Sequence, residues 1–572
     1  MRFTFRSTLI AALAAAGLAT QPAAALAPPS AAEASYILDY DAIHHPVVGR
    51  KGMVVSQNQL ASEVGADILR KGGNAVDAAV ATGLALAVTL PRAGNLGGGG
   101  FMLLHLAKEK KTLAIDYYGQ APAGTDVELL TGPDGKLDTA KRYSFRAVAV
   151  PGTVKGFYEI HRQYGKLPWR ELVEPAVKLA EDGLTLTDDM AYSMEVYKPA
   201  FMSDPASDKA MLKADGSGYA AGERFRQPDL AWSLRQIRDG GADAFYRGEV
   251  GRRVVAGVQA GGGRLRMADL ADYRIRVQEP LWCDYRGVPV AYMPPPAAGV
   301  LLCELMNIVE RYPMAEYGQN SVQSLHLVAE AMKLVFADRS RFMGGYPQYQ
   351  PPVGGLSSKA YAADRAKLID PERAMGEKVL PGDPLTYESR DTTHFSVADA
   401  EGNVVSNTFT LGSSFGAHVM APGTGFFLND AMANFNWSNP EPANAPAPGK
   451  RVISTITPVI AFKDGAPWLA SGTPGGTRII SSMAQLLVNL IDHRLNVAEA
   501  TQRPRIFQAA SDTPVEFEPG FPPDMLRLME ARGHETTPAL TMGSTQSILI
   551  EDELFEGAAD SRRPVAGVAA VN

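Results

Sequence analysis

Asp391-Thr392-Thr393-His394-Phe395-Ser396-Val397-Ala398, the turn Asp399-Ala400-Glu401-Gly402-Asn403, and Val404-Val405-Ser406-Asn407-Thr408-Phe409-Thr410-Leu411 together decide the fold. Thr393, Phe395 and Val397 alternate with His394, Ser396 and Ala398. Period two on both sides of a short polar turn predicts a β-hairpin. With the turn centred on Glu401, Thr392 faces Thr410, His394 faces Thr408 and Ser396 faces Ser406. Directly opposed residues hold their Cβ atoms within ~5.5 Å of each other. A slip of one residue would place Phe409 or Leu411 opposite Thr392 instead. Threonine is also a common strand residue, so this spacing alone does not assign a function.

Immediately before the hairpin, residues 376–391 turn polar and loop-like, with Pro381-Gly382-Asp383-Pro384 at their centre. Such a segment reads as an exposed, cleavable connector. A cut between Asp391 and Thr392 would leave a chain start carrying both a hydroxyl and an α-amine. An α-amine has a pKa near ~8, so near neutral pH much of it is able to take the hydroxyl proton. Thr392 would then be nucleophile and base together, and the Thr410 hydroxyl would be placed to tune it. Acyl transfer also needs donors for an oxyanion. Gly472-Thr473-Pro474-Gly475-Gly476-Thr477-Arg478, ahead of a helical stretch at 479–491, offers backbone N–H groups unobstructed by side chains.

Further out, Met53-Val54-Val55 reads as a strand and Leu60 to Arg70 as a helix ended by Gly72-Gly73. Asn74 caps a second helix, Ala75 to Leu90, apolar on nearly every side and so buried between layers. Gly94 to Gly100 holds four consecutive glycines before strands at Phe101–His105 and Thr112–Tyr117. The run lacks the spacing of a dinucleotide or phosphate loop and reads as a close backbone crossing beside a core helix. The middle, about 150 to 390, reads as mostly helical, with 3.6-period segments at Trp169–Asp182, Asp229–Arg238 and Ser324–Arg339. Further strands are expected at 454–462 and 467–471. Strands and helices at both ends around a helical middle predict a layered α/β or α+β sandwich.

The 572 residues are 46% hydrophobic and 20% charged, which excludes disorder as the dominant state. Basic residues number 55 against 62 acidic, so no basic surplus exists to neutralise a nucleic-acid backbone. Arg2 and Arg6 precede a short apolar stretch, Leu9 to Ala19, and small-x-small steps up to Ala27. Residues 1–27 therefore read as a secretory signal peptide, and the mature protein is expected to be periplasmic or secreted, with no membrane span. Cys283 and Cys303 are the two cysteines: one disulfide, or two buried thiols.

The sequence resembles the γ-glutamyltransferases (glutathione hydrolases), members of the N-terminal-nucleophile hydrolases. Resemblance runs from about residue 50 to 568. It is carried by Gly72 to Ala79, Gly94 to Met102, Val150-Pro151-Gly152-Thr153, Met293 to Pro296, Thr392 to Val397, Gly472 to Ile480, Leu495 to Ala500 and Gly543-Ser544-Thr545-Gln546-Ser547. It implies a four-layer αββα sandwich and a proenzyme that cuts itself between Asp391 and Thr392. The large subunit would be 28–391 and the small catalytic subunit 392–572, the two remaining together as a heterodimer. Thr392 would attack a small-molecule amide or peptide such as glutathione to form an acyl-enzyme. Thr410 would bond the nucleophile, and Gly475 and Gly476 would form the oxyanion hole. Water or an amine would release the acyl group. No metal or organic cofactor is implied.

The substrate pocket departs from the family pattern. The family arginine that grips the substrate α-carboxylate is replaced by Tyr118, its Asn by Gly412, its Gln by Ala431, and the Asp that pairs the substrate α-amine by Asn434. Ser454 and Thr455 keep the carboxylate-binding hydroxyl pair. One reading is that another residue, Arg92 or Arg478, reaches into the pocket in the arginine's place. An Asn at the Asp position resembles the related cephalosporin (glutaryl) acylases, whose acyl group lacks the α-amine, so altered acyl specificity is the alternative. Two further readings compete. Gly412-Ser413-Ser414-Phe415-Gly416 matches the GxSxG of serine hydrolases, which requires a strand, a sharp turn and a helix. A non-catalytic binding protein with the same fold is the other. The nine histidines show no HExxH, and His394 and His418 lack carboxylates at ligand spacing, which disfavours a metalloenzyme.

Overall fold

A computed structural model describes residues 42–376, 379, 391–438 and 443–572, with the backbone alone for Asp391 and Thr392. The expected signal segment and most of the polar connector lie outside the described residues. The compact unit runs from His44 to Asn572.

Two seven-stranded sheets form its centre. Their strands are β1 (Val47–Gly49), β2 (Gly52–Ser56), β3 (Gly99–Leu106), β4 (Lys111–Asp116), β5 (Arg276–Gln278), β6 (Leu281–Tyr285), β7 (Val288–Tyr292), β8 (Asp391–Asp399), β9 (Val404–Gly412), β10 (Val459–Lys463), β11 (Ala466–Ser471), β12 (Gln546–Glu551), β13 (Leu554–Ala559) and β14 (Gly567–Val571). One sheet runs β14-β2-β8-β9-β3-β4-β5 and the other β1-β13-β12-β11-β10-β7-β6. The expected hairpin is the central pair of the first sheet.

The alternation of side chains builds the layers. Val54, Met102, Leu104, Ile115, Phe395, Val397, Val405 and Phe409 point to one side, into a core shared with helices α1 (Gln59–Arg70) and α2 (Ala75–Thr89). Met53, Val55, Phe101, Leu103, Ala114 and Val404 point to the other, into a core shared with the second sheet. That core continues into helices α3 (Gly299–Val309), α4 (Val322–Phe342) and α5 (Arg478–Ile491). The order is therefore helices, sheet, sheet, helices, as expected. Every residue of α2 is buried. Its start is fixed by a capping box between Asn74 and Asp77, and the Ala75 N–H donates to Asp399 Oδ2 (2.8 Å), which ties the helix to the hairpin turn.

The middle region differs from the expectation in one respect. It holds the helices, including Trp169–Asp182, but also β5, β6 and β7, which extend one edge of each sheet. These strands are three to five residues long, too short for their periodicity to stand out. The strand expected at 454–462 begins only at Val459. Cys283 of β6 and Cys303 of α3 are joined in a disulfide, which resolves the two readings of that pair.

Candidate active site

The site is built at one end of the β8–β9 hairpin. From Thr393↔Phe409 through His394↔Thr408 and Ser396↔Ser406 to Ala398↔Val404 the register follows the expected pairing. At the end it shifts, because Asp391 pairs with Gly412. One residue, Thr392, then stands opposite two, Thr410 and Leu411. This bulge on β9 is of the kind that re-aims a strand end beside a functional site. The Thr410 Oγ1 accepts a hydrogen bond from the Gly412 N–H at 2.9 Å, which fixes its side chain at the bulge.

The polar alternates of the hairpin point between the two sheets and are fully buried. His394 Nδ1 lies 2.7 Å from Thr408 Oγ1, and His394 Nε2 3.1 Å from Ser396 Oγ. Ser396 Oγ donates to the Gln546 carbonyl and Ser406 Oγ to the Ser471 carbonyl. Each hydroxyl thus has a partner, without which burial would be costly. Burial pushes the His394 imidazole down to about 3, so it is neutral at physiological pH. It serves as a strut between layers.

That strut also locates the glycine loop. The His394 ring lies against Gly472, whose carbonyl accepts from the Gln546 N–H (3.1 Å). From there the loop runs through Gly475 (φ 136°) and Gly476 (φ 59°), two consecutive left-handed conformations that glycine alone adopts readily. Their carbonyls accept from the Arg478 and Ile479 N–H groups and so open α5. A second glycine loop buttresses the first: the Ser544 N–H donates to Thr473 Oγ1 (2.7 Å). The result is a helix N-terminus one short loop away from the hairpin end, where anionic charge is favoured.

On the other side of Gly412, the expected pocket residues come together. Tyr118 is buried, its hydroxyl bonded by Asn434 Nδ2 (3.3 Å) and by Ser454. Burial pushes the Tyr118 phenol well above its ordinary value, so it remains a neutral hydroxyl. The Asn434 amide also donates to the Ile453 carbonyl (3.1 Å). The Ser454 N–H donates to the Pro296 carbonyl (3.0 Å), which brings the Met293–Pro296 segment to the same place, and Thr455 is buried beside it.

Three residues of this region were not legible in the sequence. Asp430, Ser413 and Arg142 form a buried cluster against Gly412. A Cβ on Gly412 (φ 106°) would lie 1.9 Å from Asp430 Oδ1, so the carboxylate occupies the space that a side chain at 412 would fill. Asp430 Oδ1 accepts from the Ser413 N–H (2.8 Å), and Asp430 Oδ2 from the Ser413 hydroxyl (2.7 Å) and Arg142 Nε (3.1 Å). Both arginines suggested by sequence have acidic partners. Arg92 pairs with Asp189 (3.4 Å), and Arg478 forks onto Glu516 and lies over Phe507.

The serine-hydrolase reading fails on local geometry. After Gly412 the chain turns at Phe415 (φ 57°) and Gly416 (φ 55°) and runs to a bridge between Met420 and Phe427, with no helix behind Ser414. Among the described residues, His326, Glu330 and His534 cluster in the core around α4, but the Lys333 ammonium already stands 2.7 Å from Glu330.

Comparison with known proteins agrees with this geometry. The gamma-glutamyltranspeptidase family profile matches residues 61–570. The chain is 40% identical over 571 residues to the glutathione hydrolase proenzyme of Escherichia coli (strain K12), covering 97% of each chain. It is 39% identical to the acylase ACY 1 proenzyme of Pseudomonas sp. (strain SE83), covering 91% of this chain and 94% of that protein. Among solved structures, the cephalosporin acylase from Bacillus halodurans superimposes with a TM-score of 0.85 at 30% identity, covering 94% of this chain and 99% of the other.

Proposed function

Given that the chain belongs to the gamma-glutamyltranspeptidase family and is an enzyme of that kind, we propose that it is a self-processing amidohydrolase and acyltransferase that cleaves γ-glutamyl amides such as glutathione through an acyl-enzyme on Thr392. The observation that carries the reading is the bulge that sets Thr392 opposite Thr410 and Leu411 at the hairpin end. Cleavage between Asp391 and Thr392 frees the threonine amine. That amine takes the Oγ proton as Oγ attacks the amide carbonyl, and later returns it to the leaving amine. The charge that develops on the carbonyl oxygen is met by the Gly475 and Gly476 N–H groups at the start of α5. Thr410, held by the Gly412 amide, keeps the nucleophile oriented. Water or a second amine then attacks the ester, giving hydrolysis or transfer.

The precursor divides into 28–391 and 392–572, which remain paired because the two halves share both sheets. Residues 1–27 direct export, and the mature enzyme works in the periplasm or outside the cell. Tyr118, Asn434, Ser454, Thr455 and Gly412 line the acyl pocket. One observation favours a second acyl group. Asn434 is neutral, and its amide donates to the Tyr118 hydroxyl and the Ile453 carbonyl, so a glutaryl group that lacks the amine suits the pocket as well.

Thr392→Ala tests the reading. The purified wild type is expected to run as two fragments under denaturation, the smaller beginning at Thr392. The variant is expected to run as one chain and to hydrolyse no amide substrate. An alanine variant that still turns over, or active wild-type enzyme with the 391–392 bond intact, overturns it.

A further inference from the structure

Asn429 is buried, and its side-chain amide meets four backbone groups. Its Nδ2 donates to the Gly97 carbonyl (2.8 Å) and the Ala149 carbonyl (3.0 Å). Its Oδ1 accepts from the Ala149 N–H (3.0 Å) and the Ala431 N–H (3.1 Å). A side-chain amide has two donor hydrogens and two acceptor lone pairs, so this one is saturated. A flipped amide would set its oxygen against both carbonyls, which fixes the orientation. Buried polar groups that are fully satisfied rigidify the segments they join.

The segments joined here are the two sides of the candidate site. Ala431 opens the turn Ala431–Asn434, and the Asn434 amide reaches the Tyr118 hydroxyl. Val150, next to Ala149, donates its N–H to the Gln120 carbonyl (2.8 Å), two residues beyond Tyr118. Gly97 leads to the backbone of Thr410. Gly99 pairs with Thr410, and a Cβ on Gly98 would stand 2.0 Å from the Thr410 carbonyl oxygen. A Cβ on Gly97 would lie 2.3 Å from the Phe427 carbonyl oxygen, so the bare glycine lets the two chains meet and brings Asn429 within reach. We propose that Asn429 is a positioning residue that holds the acyl-pocket turn at a fixed distance from the nucleophile end of the hairpin. Its amide has no donor left for substrate. It acts through Ala431 on one side and Gly97 on the other. The inference rests on the acyl-enzyme reading of Thr392.

The test compares Asn429→Asp and Asn429→Ser with the wild type, with kcat expressed per chain processed to a Thr392 N-terminus. The substrate is whichever of γ-glutamyl- and glutaryl-p-nitroanilide the wild type turns over faster. A small displacement of the bound acyl group misaligns attack without preventing binding. Both variants are therefore expected to lose about 10- to 100-fold in kcat near pH 8, with KM little changed. Asn429→Asp adds a pH signature. Its carboxylate would face the Gly97 and Ala149 carbonyls with no donor to offer. The neighbouring Asp430 carboxylate is held by Ser413 and Arg142. Burial and that neighbour both raise the pKa of an acid at 429, and protonation restores one donor. The kcat of Asn429→Asp relative to wild type is thus expected to rise about tenfold as pH falls from about 8 to about 5.5, while the Asn429→Ser ratio stays flat. Asn307→Ala removes another buried amide, which donates to the Ser357 carbonyl (2.9 Å) from α3. It is expected to keep the wild-type kcat per processed chain. A normal kcat in processed Asn429→Ser, a loss carried by KM, a flat Asn429→Asp ratio, or an equal loss in Asn307→Ala overturns the proposal. Turnover by Thr392→Ala bears instead on the nucleophile. Should Asn429→Asp fail to mature, the division between kcat and KM in Asn429→Ser decides.

Discussion

Gly98→Ala is expected to damage the enzyme through the backbone of Thr410. A Cβ on Gly98 would stand 2.0 Å from the Thr410 carbonyl oxygen and 2.7 Å from Asn95 Oδ1, where real Cβ atoms essentially never approach closer than 3.0 Å. Roughly 1 Å of separation must be found at the first of these contacts. Neither side yields easily. The Gly98 carbonyl accepts from the Gly152 N–H (2.7 Å) and the Thr153 N–H (3.2 Å), and Thr410 is paired with Gly99 in the ladder between β9 and β3. Overpacking of a well-filled core costs about 1–3 kcal/mol, and two backbones in contact put this case near 3 kcal/mol. The measurement is the urea midpoint of the Thr392→Ala single chain with and without the change, interpreted at a common slope. Gly354→Ala is the control, because its Cβ would meet nothing within 4 Å. It is expected to be neutral or to stabilise by up to about 1 kcal/mol. In the processing-competent chain, Gly98→Ala should also lower kcat beyond any loss of folded protein, since Thr410 moves. A Gly98→Ala midpoint within about 0.5 kcal/mol of the Gly354→Ala control would refute the packing argument.

His394 gives a pH prediction. Its ring stays neutral in the fold until about pH 3, against an ordinary 6.5, so the unfolded chain binds the extra proton first. Its contribution is full above pH 6.5 and is lost as pH falls towards 3. At pH 5 the loss is about 2 kcal/mol. The difference in urea stability between pH 7.5 and 5 should therefore shrink by about that amount in His394→Gln, and an unchanged difference would show the ring is not the titrating group. The Cys283–Cys303 disulfide closes a loop with a sequence separation of 20, so the double serine variant is expected to lose about 3 kcal/mol in a denaturation series while keeping its kcat, since the bond joins β6 to α3 on the second sheet. A fall in kcat at full folding would contradict that placement. Gly472→Ala would bring a Cβ to 2.5 Å from the His394 ring and is expected to shift the glycine loop and lower kcat about tenfold or more with KM little changed; a normal kcat would detach the loop from catalysis.

Much of this enzyme was determined by the sequence alone. The hairpin pairing, the buried helix α2 with its cap, the close crossing of the glycine run and the candidate nucleophile are local features. Period, capping chemistry and absent side chains specify them over a few residues. The polar alternates His394, Ser396, Ser406 and Thr408 would ordinarily mark a strand's wet face. The tertiary structure turned that face inward, against a second sheet whose backbone carbonyls satisfy the hydroxyls. It also decided the bulge at Thr392, the short strands β5 to β7 and the disulfide. Arg142 could not be read from the chain at all. It lies 288 residues from Asp430 and 271 from Ser413, and the clue at Gly412 was only a missing side chain. A charge is cheap to bury only beside its partner, and which partner that is depends on how distant segments pack.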